Sequence, residues 1–347
     1  MSDLVQEYRT DANALAASTY SVATPEDDPL LCKTLLPLRR VFFPLGFAVE
    51  IETNSEQVLD AAMESWGGLR QRYSDRALRL CIGVVNTGPA ICPPAPVVRA
   101  RGHLLSLVAD GHNQASCDLK EGFAFAWLNR GAMLDSSYLR YHFLEALALT
   151  LLATLRVVTV HAAAVSRYGR GMLLCGASGA GKSSLAYGCA RAGWSYTSDD
   201  ASHLLRGVDQ PRVIGNSHQF RFRPSAQTLF PELGGRSLTP RARGKPSIEV
   251  PTSELPNILA VEEAAIHNII FLNRRPSSVA QLKPLPRGFA MDYLRQHVYP
   301  EEVIDLSQTA TLEQLSAVDT YELRYSDLTR AVAQLDRLAK GEVSEAI

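Results

Sequence analysis

The sequence predicts an α/β fold divided into two domains, and three observations support this prediction. The chain has 347 residues, which is about twice the length of a typical domain. From residue 157 onward, the apolar pattern alternates between strands, turns, a glycine-rich loop and helices, as in an α/β core. Before that residue, short strand-like stretches surround two helical ones, as in an α+β domain. We therefore expect a smaller N-terminal α+β domain over residues 1–157, an α/β domain over residues 158–340, and a tail over residues 341–347.

Composition and charge exclude several classes of protein. Apolar residues make up 46% of the chain and charged residues 20%, which disfavours disordered, collagen-like and coiled-coil chains. The net charge is -1, so the basic surface typical of nucleic-acid binding is not expected. The acidic N-terminus does not fit an export signal, and the longest apolar stretch, residues 143–155, is too short to span a bilayer. We expect a cytoplasmic protein with no nucleic-acid or membrane partner, and a homo-oligomer stays open.

Local patterns predict the elements of the N-terminal domain. Residues 1–37 are polar and interrupted by prolines, so a loosely held arm is expected. Stretches rich in strand-forming residues predict five strands: residues 41–51, 78–85, 104–109, 115–119 and 122–128. Two helices are predicted over residues 56–73, with Ser55 as the N-cap, and over residues 137–155, which are apolar on all faces.

The strongest motif is an unbroken GxxxxGK[ST] sequence that a buried strand precedes and a helix follows, the order found in phosphate-binding loops. Glycines let the backbone N–H groups of such a loop point at phosphate oxygens, and the helix start adds its positive end. Lys182 is expected to reach the terminal phosphates, and the Ser183 hydroxyl to ligate magnesium. The motif therefore predicts a site for ATP with Mg²⁺. The residues expected to contact the phosphates are Gly176, Ala177, Ser178, Gly179, Ala180, Gly181, Lys182, Ser183 and Ser184.

Two aspartates, Asp199 and Asp200, end the strand that follows the loop helix. Ligands of open parallel sheets lie beyond the carboxyl ends of the strands, so both carboxylates are expected to face the phosphates. One can hold Mg²⁺ and the other can deprotonate an attacking hydroxyl. The alternative is that they cap a turn. His161 opens a predicted strand over residues 161–165, and it is either part of the site or a structural residue.

This arrangement resembles the HPr kinase/phosphorylase-like P-loop kinases. The resemblance covers residues 159–206, and it rests on His161-Ala-Ala-Ala-Val, a turn at Gly169, the glycine-rich motif, and Ser198-Asp-Asp. It implies an HPr-kinase-like P-loop nucleotide-binding core, with Asp199, His161 and Lys182 as catalytic residues. By the same resemblance, Asp199 is the base and Asp200 the carboxylate on the metal side.

The downstream sequence departs from that family. The glutamate- and glycine-rich segment of HPr kinases is not found, so the pattern is closer to HPr-kinase-related proteins that phosphorylate other acceptors, including serines of small peptides. Arg221 and Arg223 alternate with phenylalanines and are expected on one face of a strand, either as phosphate contacts or as part of an ordinary amphipathic strand. Lys245 is expected as a second phosphate contact, and Glu249 as a further Mg²⁺ ligand. Two more elements are predicted: a buried strand over residues 266–272 and a helix over residues 327–339 with Ser326 as its N-cap.

Three functional hypotheses follow from these motifs. The first is an ATP- and Mg²⁺-dependent kinase that transfers the γ-phosphoryl group to a hydroxyl, a serine of a protein or peptide, with the N-terminal domain recognising the acceptor. The second is a kinase with the same core that acts on a small metabolite. The third is a nucleotide-binding regulatory protein with little turnover. The doubled aspartate and the upstream histidine favour the first hypothesis.

Overall fold

The computed structural model describes residues 28, 30–31, 33–239, 246–276, 279–295, 298–299 and 306–342. Most of the arm expected over residues 1–37 therefore lies outside the described residues, and so does Lys245. The protein is a mixed α/β protein with several sheets and helices. It divides into two compact units, Met1–Leu151 and Leu152–Ile347. No helix of the described residues is long and apolar enough to cross a membrane.

The first unit contains a sheet of seven described strands in the order β1-β2-β3-β7-β6-β5-β4. Strands β2, β3 and β7 are parallel neighbours, and the other pairs are antiparallel. The strands are β1 (Leu38–Phe42), β2 (Val49–Thr53), β3 (Leu78–Val85), β4 (Val97–Arg101), β5 (Leu104–Val108), β6 (Gln114–Asp118) and β7 (Phe123–Asn129). The helices are α1 (Glu56–Trp66), α2 (Ser136–Leu139) and α3 (Glu145–Leu155), with a π-helical turn at Arg140–Leu144 between the last two.

The structure confirms β3 over the predicted residues, corrects two other elements and adds one strand. The strand predicted over residues 41–51 is interrupted by a turn, Pro44–Gly46, in which Leu45 and Gly46 have φ values of 54° and 84°. The helix predicted to reach residue 73 ends at Trp66, where two glycines follow. The edge strand β4, which follows the proline-rich residues 89–96, was not predicted.

The second unit contains an eleven-stranded sheet and a separate two-stranded ribbon within the described residues. The strands are β8 (Val157–Val160), β9 (Ala163–Arg167), β10 (Arg170–Cys175), β11 (Ser195–Ser198), β12 (Ser202–Leu205), β13 (Arg212–Gly215), β14 (Gln219–Phe222), β15 (Ile248–Pro251), β16 (Leu259–Ala260), β17 (Glu263–Arg274), β18 (Gln281–Pro284), β19 (Val298–Tyr299) and β20 (Asp319–Tyr325). The helices are α4 (Lys182–Arg191), α5 (Arg287–Arg295), α6 (Leu306–Gln314) and α7 (Leu328–Ala339). Strands β14 and β15 form the ribbon.

The direction of the strands in this sheet determines where its open edge lies. The sheet order is β16-β11-β9-β10-β17-β13-β12-β8-β19, and β20 pairs with β17 and β18. Strands β10, β17 and β20 are parallel, and β11 runs the same way because both β11 and β10 are antiparallel to β9. The carboxyl ends of β11, β10, β17 and β20 therefore meet at one edge, where ligands of such sheets bind.

Apolar clusters cover both faces of this sheet. One cluster includes Leu174 and Trp194 and packs against α4 and α7 through Leu185 and Leu335. The other includes Leu173 and Phe271 and packs against α5 and the end of α6 through residues such as Leu294 and Leu312. Burial on both faces explains the apolar runs within β10 and β17, at residues 171–175 and 269–272. The predicted strand over residues 266–272 is longer in the structure, because β17 pairs with β13 at its start and with β10 and β20 further on.

The last helix begins one residue later than predicted. Asp327, rather than Ser326, is the N-cap of α7, and its carboxylate accepts a hydrogen bond of 2.8 Å from the backbone N–H of Arg330. Either residue type is a good N-cap, so the sequence pattern alone does not separate two neighbouring candidates.

Candidate active site

The glycine-rich motif forms the connection between β10 and α4, and we call residues 176–183 the glycine loop. Gly179 and Gly181 have φ values of 86° and 99°, in the left-handed region that other residues rarely adopt. A Cβ atom at Gly181 would also lie 2.7 Å from the hydroxyl oxygen of Tyr325. The chain thus needs glycine at this position for two reasons, conformation and space.

Lys182, the first residue of α4, folds back over the glycine loop. Its Nζ donates hydrogen bonds to the carbonyl oxygens of Gly176 (2.7 Å) and Ala177 (3.3 Å). The side chain is buried, with 6% of the residue exposed. Burial lowers the pKa of Lys182, and the carboxylate of Asp200 acts in the opposite direction. The ammonium group is therefore bonded to the loop and lies near Asp200, which together with Asp199 we call the acid pair.

Asp199 follows β11 and is buried, with 6% of the residue exposed. Its Oδ2 accepts a hydrogen bond of 2.8 Å from the backbone N–H of Arg221, and its Oδ1 accepts one of 3.2 Å from the Tyr196 hydroxyl. Burial raises the pKa of Asp199 to about 7, although the Arg221 N–H opposes this shift. The Ser183 hydroxyl donates to the carbonyl oxygen of Asp199 at 3.3 Å, which joins the loop helix to the end of β11.

Asp200 is more accessible than Asp199 and is close to His161. The His161 Nδ1 and Asp200 Oδ1 atoms are 3.4 Å apart, and the two side chains are 41% and 31% exposed. His161 lies in the turn between β8 and β9, which corrects its predicted place at the start of a strand, because β9 begins at Ala163. The turn is fixed by Ser202, whose hydroxyl donates to the Ala162 carbonyl at 3.0 Å. The structure thus brings His161, Lys182 and both aspartates together.

The three candidate site residues in and next to the β14–β15 ribbon, Arg221, Arg223 and Glu249, have different environments. Arg221 and Glu249 are direct partners, and Arg221 Nε lies 3.1 Å from Glu249 Oε1. Arg221 also lies next to Asp199 through its backbone. Arg223 is exposed and directly follows β14 in an extended conformation, before a 3-10 turn, Pro224–Thr228, so a shared strand face for the two arginines stays a prediction. The proline at position 224 ends the strand after Phe222.

The possible metal ligands do not form a preformed cage. Among the described residues, no three or more His, Cys, Asp or Glu side chains lie close enough together to hold a metal ion. The acid pair and Glu249 thus do not combine into such a group. Mg²⁺ bound with a nucleotide needs only one or two protein carboxylates, since phosphate oxygens and water complete its shell. The oxygens of Ser183 and Asp200 are of the type that this ion prefers.

Three residues that support the site were not predicted from the sequence: Tyr325, Tyr196 and Gly215. The hydroxyl of Tyr325, at the end of β20, donates to the Ala180 carbonyl of the glycine loop at 3.2 Å. Tyr196 contacts Asp199 as described above and stacks on Phe220, with ring centroids 3.7 Å apart. A Cβ atom at Gly215 would lie 2.5 Å from the Thr197 carbonyl oxygen, so β13 approaches the end of β11 closely. No local motif marks these residues, because each acts through a tertiary contact.

Comparisons with known proteins give little further information. No protein-family model matches the chain, and no curated protein matches its sequence. Among solved structures, the Hpr(Ser) kinase/phosphatase from Coxiella burnetii is similar to 53% of this chain and 99% of its own chain, at 15% sequence identity and a TM-score of 0.28. At this identity and score, the likeness carries no functional argument.

Proposed function

We propose that this protein is an ATP- and Mg²⁺-dependent kinase that transfers the γ-phosphoryl group to a hydroxyl, that of a serine in a protein or peptide. The observation that supports it best is the contact between the glycine loop and the acid pair, through Ser183 and Asp199. Phosphoryl transfer needs positioning and charge stabilisation far more than covalent chemistry, and these groups supply both. The order of His161, glycine loop and acid pair supports an HPr-kinase-like P-loop core.

The nucleotide phosphates are proposed to bind in the glycine loop. Its backbone N–H groups and the start of α4 favour negative charge. Lys182 is already directed at the loop, and its Nζ would exchange the Gly176 and Ala177 carbonyls for phosphate oxygens. Burial strengthens its interaction with an anion, because water competes less at a buried site.

Ser183 and Asp200 are proposed to hold Mg²⁺. The ion neutralises charge that develops on the transferring phosphoryl group. Asp200 is accessible, and its carboxylate is close enough to Lys182 to affect the pKa of that residue. His161 pairs with Asp200 and would keep its carboxylate oriented. Glu249 is proposed to pair with Arg221 and to hold the guanidinium group of that residue near the acid pair.

Asp199 is proposed to accept the proton of the attacking hydroxyl. A general base works best when its pKa lies near the working pH, and burial raises the pKa of Asp199 to about 7. The hydrogen bonds from Arg221 and Tyr196 fix the orientation of the carboxylate while each oxygen keeps a further lone pair. The first unit is proposed to recognise the acceptor.

Labelled ATP tests this function directly. The full-length protein is incubated with Mg²⁺ and γ-labelled ATP together with serine-containing peptides, the same peptides with serine replaced by alanine, a metabolite mixture, or no acceptor. Label on the serine peptides alone is expected. Label on a metabolite would instead support the small-molecule kinase, and bound nucleotide without transfer would support a regulatory protein.

A further inference from the structure

An aromatic cluster lies next to the first residue of the glycine loop. Phe271 of β17 packs edge-on against Phe289 and Tyr293 of α5, with ring centroids 4.9 Å apart in both pairs. Burial raises the pKa of Tyr293, and the Cys175 thiol and the Gly176 backbone are close enough to contribute to the shift. Phe289 is 44% exposed. The cluster therefore runs from the start of the loop to an aromatic side chain that is open to solvent.

A polar cluster continues from the aromatic cluster along the same sheet edge. Phe271 and Glu322 are direct partners in the parallel pair of β17 and β20. Glu322 accepts hydrogen bonds from the Asn273 amide and, at 2.6 Å, from Arg324 Nε. Arg275 Nε donates to Asn273 Oδ1 at 2.8 Å. Two guanidinium groups are thereby held at the carboxyl ends of these strands, and the bonds that hold them use one of the five N–H donors of each.

Both clusters lie on the side of the glycine loop away from the acid pair. The loop follows β10, and the acid pair follows β11, which is separated from β10 by β9. The clusters lie at β17 and β20, on the other side of β10. A nucleotide whose terminal phosphate faced the acid pair would have room to extend along the same sheet edge, with its nucleoside toward β17 and β20.

We propose that the aromatic and polar clusters bind the nucleoside of ATP, with the purine base against Phe289 and the guanidinium groups of Arg275 and Arg324 donating to the base or the ribose. This inference rests on the proposed function. Every base has an aromatic face that can stack on a side-chain ring, and the ring nitrogens and ribose hydroxyls accept hydrogen bonds. The site would then recognise the part of ATP that the glycine loop does not contact.

Inorganic tripolyphosphate is the probe that separates the two parts of the ligand, because it has three phosphates and no nucleoside. The affinities of ATP and tripolyphosphate are measured by calorimetry, with Mg²⁺, for the full-length protein and for Phe289→Ala, Phe289→Trp and Asn273→Ala. The control is Leu259→Ala, which truncates an exposed apolar side chain on β16, at the opposite edge of the sheet. We expect Phe289→Ala to weaken ATP binding about tenfold, the effect of losing one stacking partner for the base. The same variant should weaken tripolyphosphate binding less than about twofold, because this ligand has no base. Phe289→Trp should restore ATP binding.

Each result bears on one of the two proposals. The inference is overturned if ATP affinity is unchanged in both Phe289→Ala and Asn273→Ala. It is also overturned if a variant loses affinity for ATP and for tripolyphosphate by the same factor. Equal affinity of the wild-type protein for ATP and tripolyphosphate also overturns it, since the nucleoside would then contribute nothing. A wild-type protein that binds neither ligand overturns the proposed function itself. Retained tripolyphosphate binding in a variant shows that its glycine loop is intact.

Discussion

Asp199 and Asp200 are neighbours in the chain, but their environments differ. Both residues lie in the bend that follows β11, and one is more buried than the other. Asp199 is the buried one and is bonded to Tyr196 and Arg221, whereas Asp200 is half-buried and close to His161. The different environments support different roles, as a base and as a metal-side carboxylate.

Asp199→Asn should separate binding from transfer. The amide keeps the shape of the side chain but cannot accept the proton, so transfer should fall at least about a hundredfold, the usual contribution of a general base. ATP affinity should change only a few-fold, because the glycine loop is untouched. Turnover is measured with labelled ATP, and affinity by calorimetry. Asp200→Asn is the comparison, and it should raise the Mg²⁺ concentration needed for half-maximal transfer. Unchanged turnover in Asp199→Asn would make Asp199 a structural residue.

The raised pKa of Asp199 predicts two pH dependences. The transfer rate should rise with pH through about 7, as Asp199 loses its proton, and Asp199→Asn should lack this rise. Stability should change in the opposite direction. The pKa of the group is 3.8 in the absence of burial and about 7 in the folded protein, so between these values the folded state binds the proton more tightly. The free energy of unfolding of the wild-type protein should therefore fall relative to that of Asp199→Asn as the pH rises from about 4 to about 7. Parallel urea titrations of both proteins measure this difference, and equal slopes with pH would contradict it.

Lys182→Ala should abolish nucleotide binding or transfer. The variant removes the cation that is held at the loop, and no other side chain of the motif is charged. Binding is measured by calorimetry and transfer with labelled ATP. Lys120→Ala removes an exposed lysine in the first unit and should leave both unchanged. Full activity in Lys182→Ala would remove the glycine loop from the mechanism.

At the scale of elements, the site depends on how closely neighbouring strands approach. The end of β11 is held by its contact with β13 at Gly215, and the glycine loop by the Tyr325 hydroxyl at the end of β20. Both contacts join segments that are far apart in sequence. The glycine loop and acid pair are therefore supported by residues that a short motif does not contain.

Gly215→Ala tests the approach of β13 to β11. The added methyl group would lie 2.5 Å from the Thr197 carbonyl oxygen, so the end of β11 must shift. We expect a loss of stability of about 1–3 kcal/mol, as in other overpacked sites, together with slower transfer. Chemical denaturation and the labelled-ATP assay measure the two effects. Gly111→Ala is the control, because a Cβ atom there meets nothing within 4 Å. If Gly215→Ala were as stable as the wild-type protein, the contact between β13 and β11 would leave room for a Cβ atom at position 215.

The local sequence was sufficient to predict some elements of the fold but not others. Strand β3, the strand–loop–helix order at the glycine loop and the hairpin of β9 and β10 were predictable, because each depends on neighbouring residues. The turn at residues 44–46 was missed, since strand formers on both sides of Pro44 obscured it. The position of His161 and the contacts of Tyr196 and Tyr325 depend on pairing between distant strands, and such pairing leaves no signal in a short stretch of sequence.

At the scale of the whole molecule, the second unit contains every residue of the candidate site. The glycine loop, the acid pair, the ribbon and the two clusters at β17 and β20 all lie within Leu152–Ile347. The first unit has a sheet of its own, one face of which carries a row of aromatic residues, Phe123, Phe125 and Trp127. Nucleotide binding should thus stabilise the second unit directly.

Thermal unfolding measures that stabilisation. ATP with Mg²⁺ should raise the unfolding midpoint of the wild-type protein. A ligand at a hundred times its dissociation constant raises the free energy of unfolding by about 2.7 kcal/mol. Removal of Mg²⁺ with a chelator should reverse most of the shift. Lys182→Ala should show no shift at the same nucleotide concentration. An equal shift in Lys182→Ala would indicate a nucleotide site elsewhere.

The ammonium group of Lys182 is already occupied before any ligand arrives, because two carbonyl oxygens of its own loop accept its hydrogens. An incoming phosphate must compete with these internal acceptors, and a departing one is replaced by them at once. In the proposed kinase, the two carbonyls would bond the ammonium group again as the nucleotide leaves, which would lower the free-energy cost of release. Under the proposed function, this competition would weaken nucleotide binding and favour rapid turnover over long retention of the nucleotide.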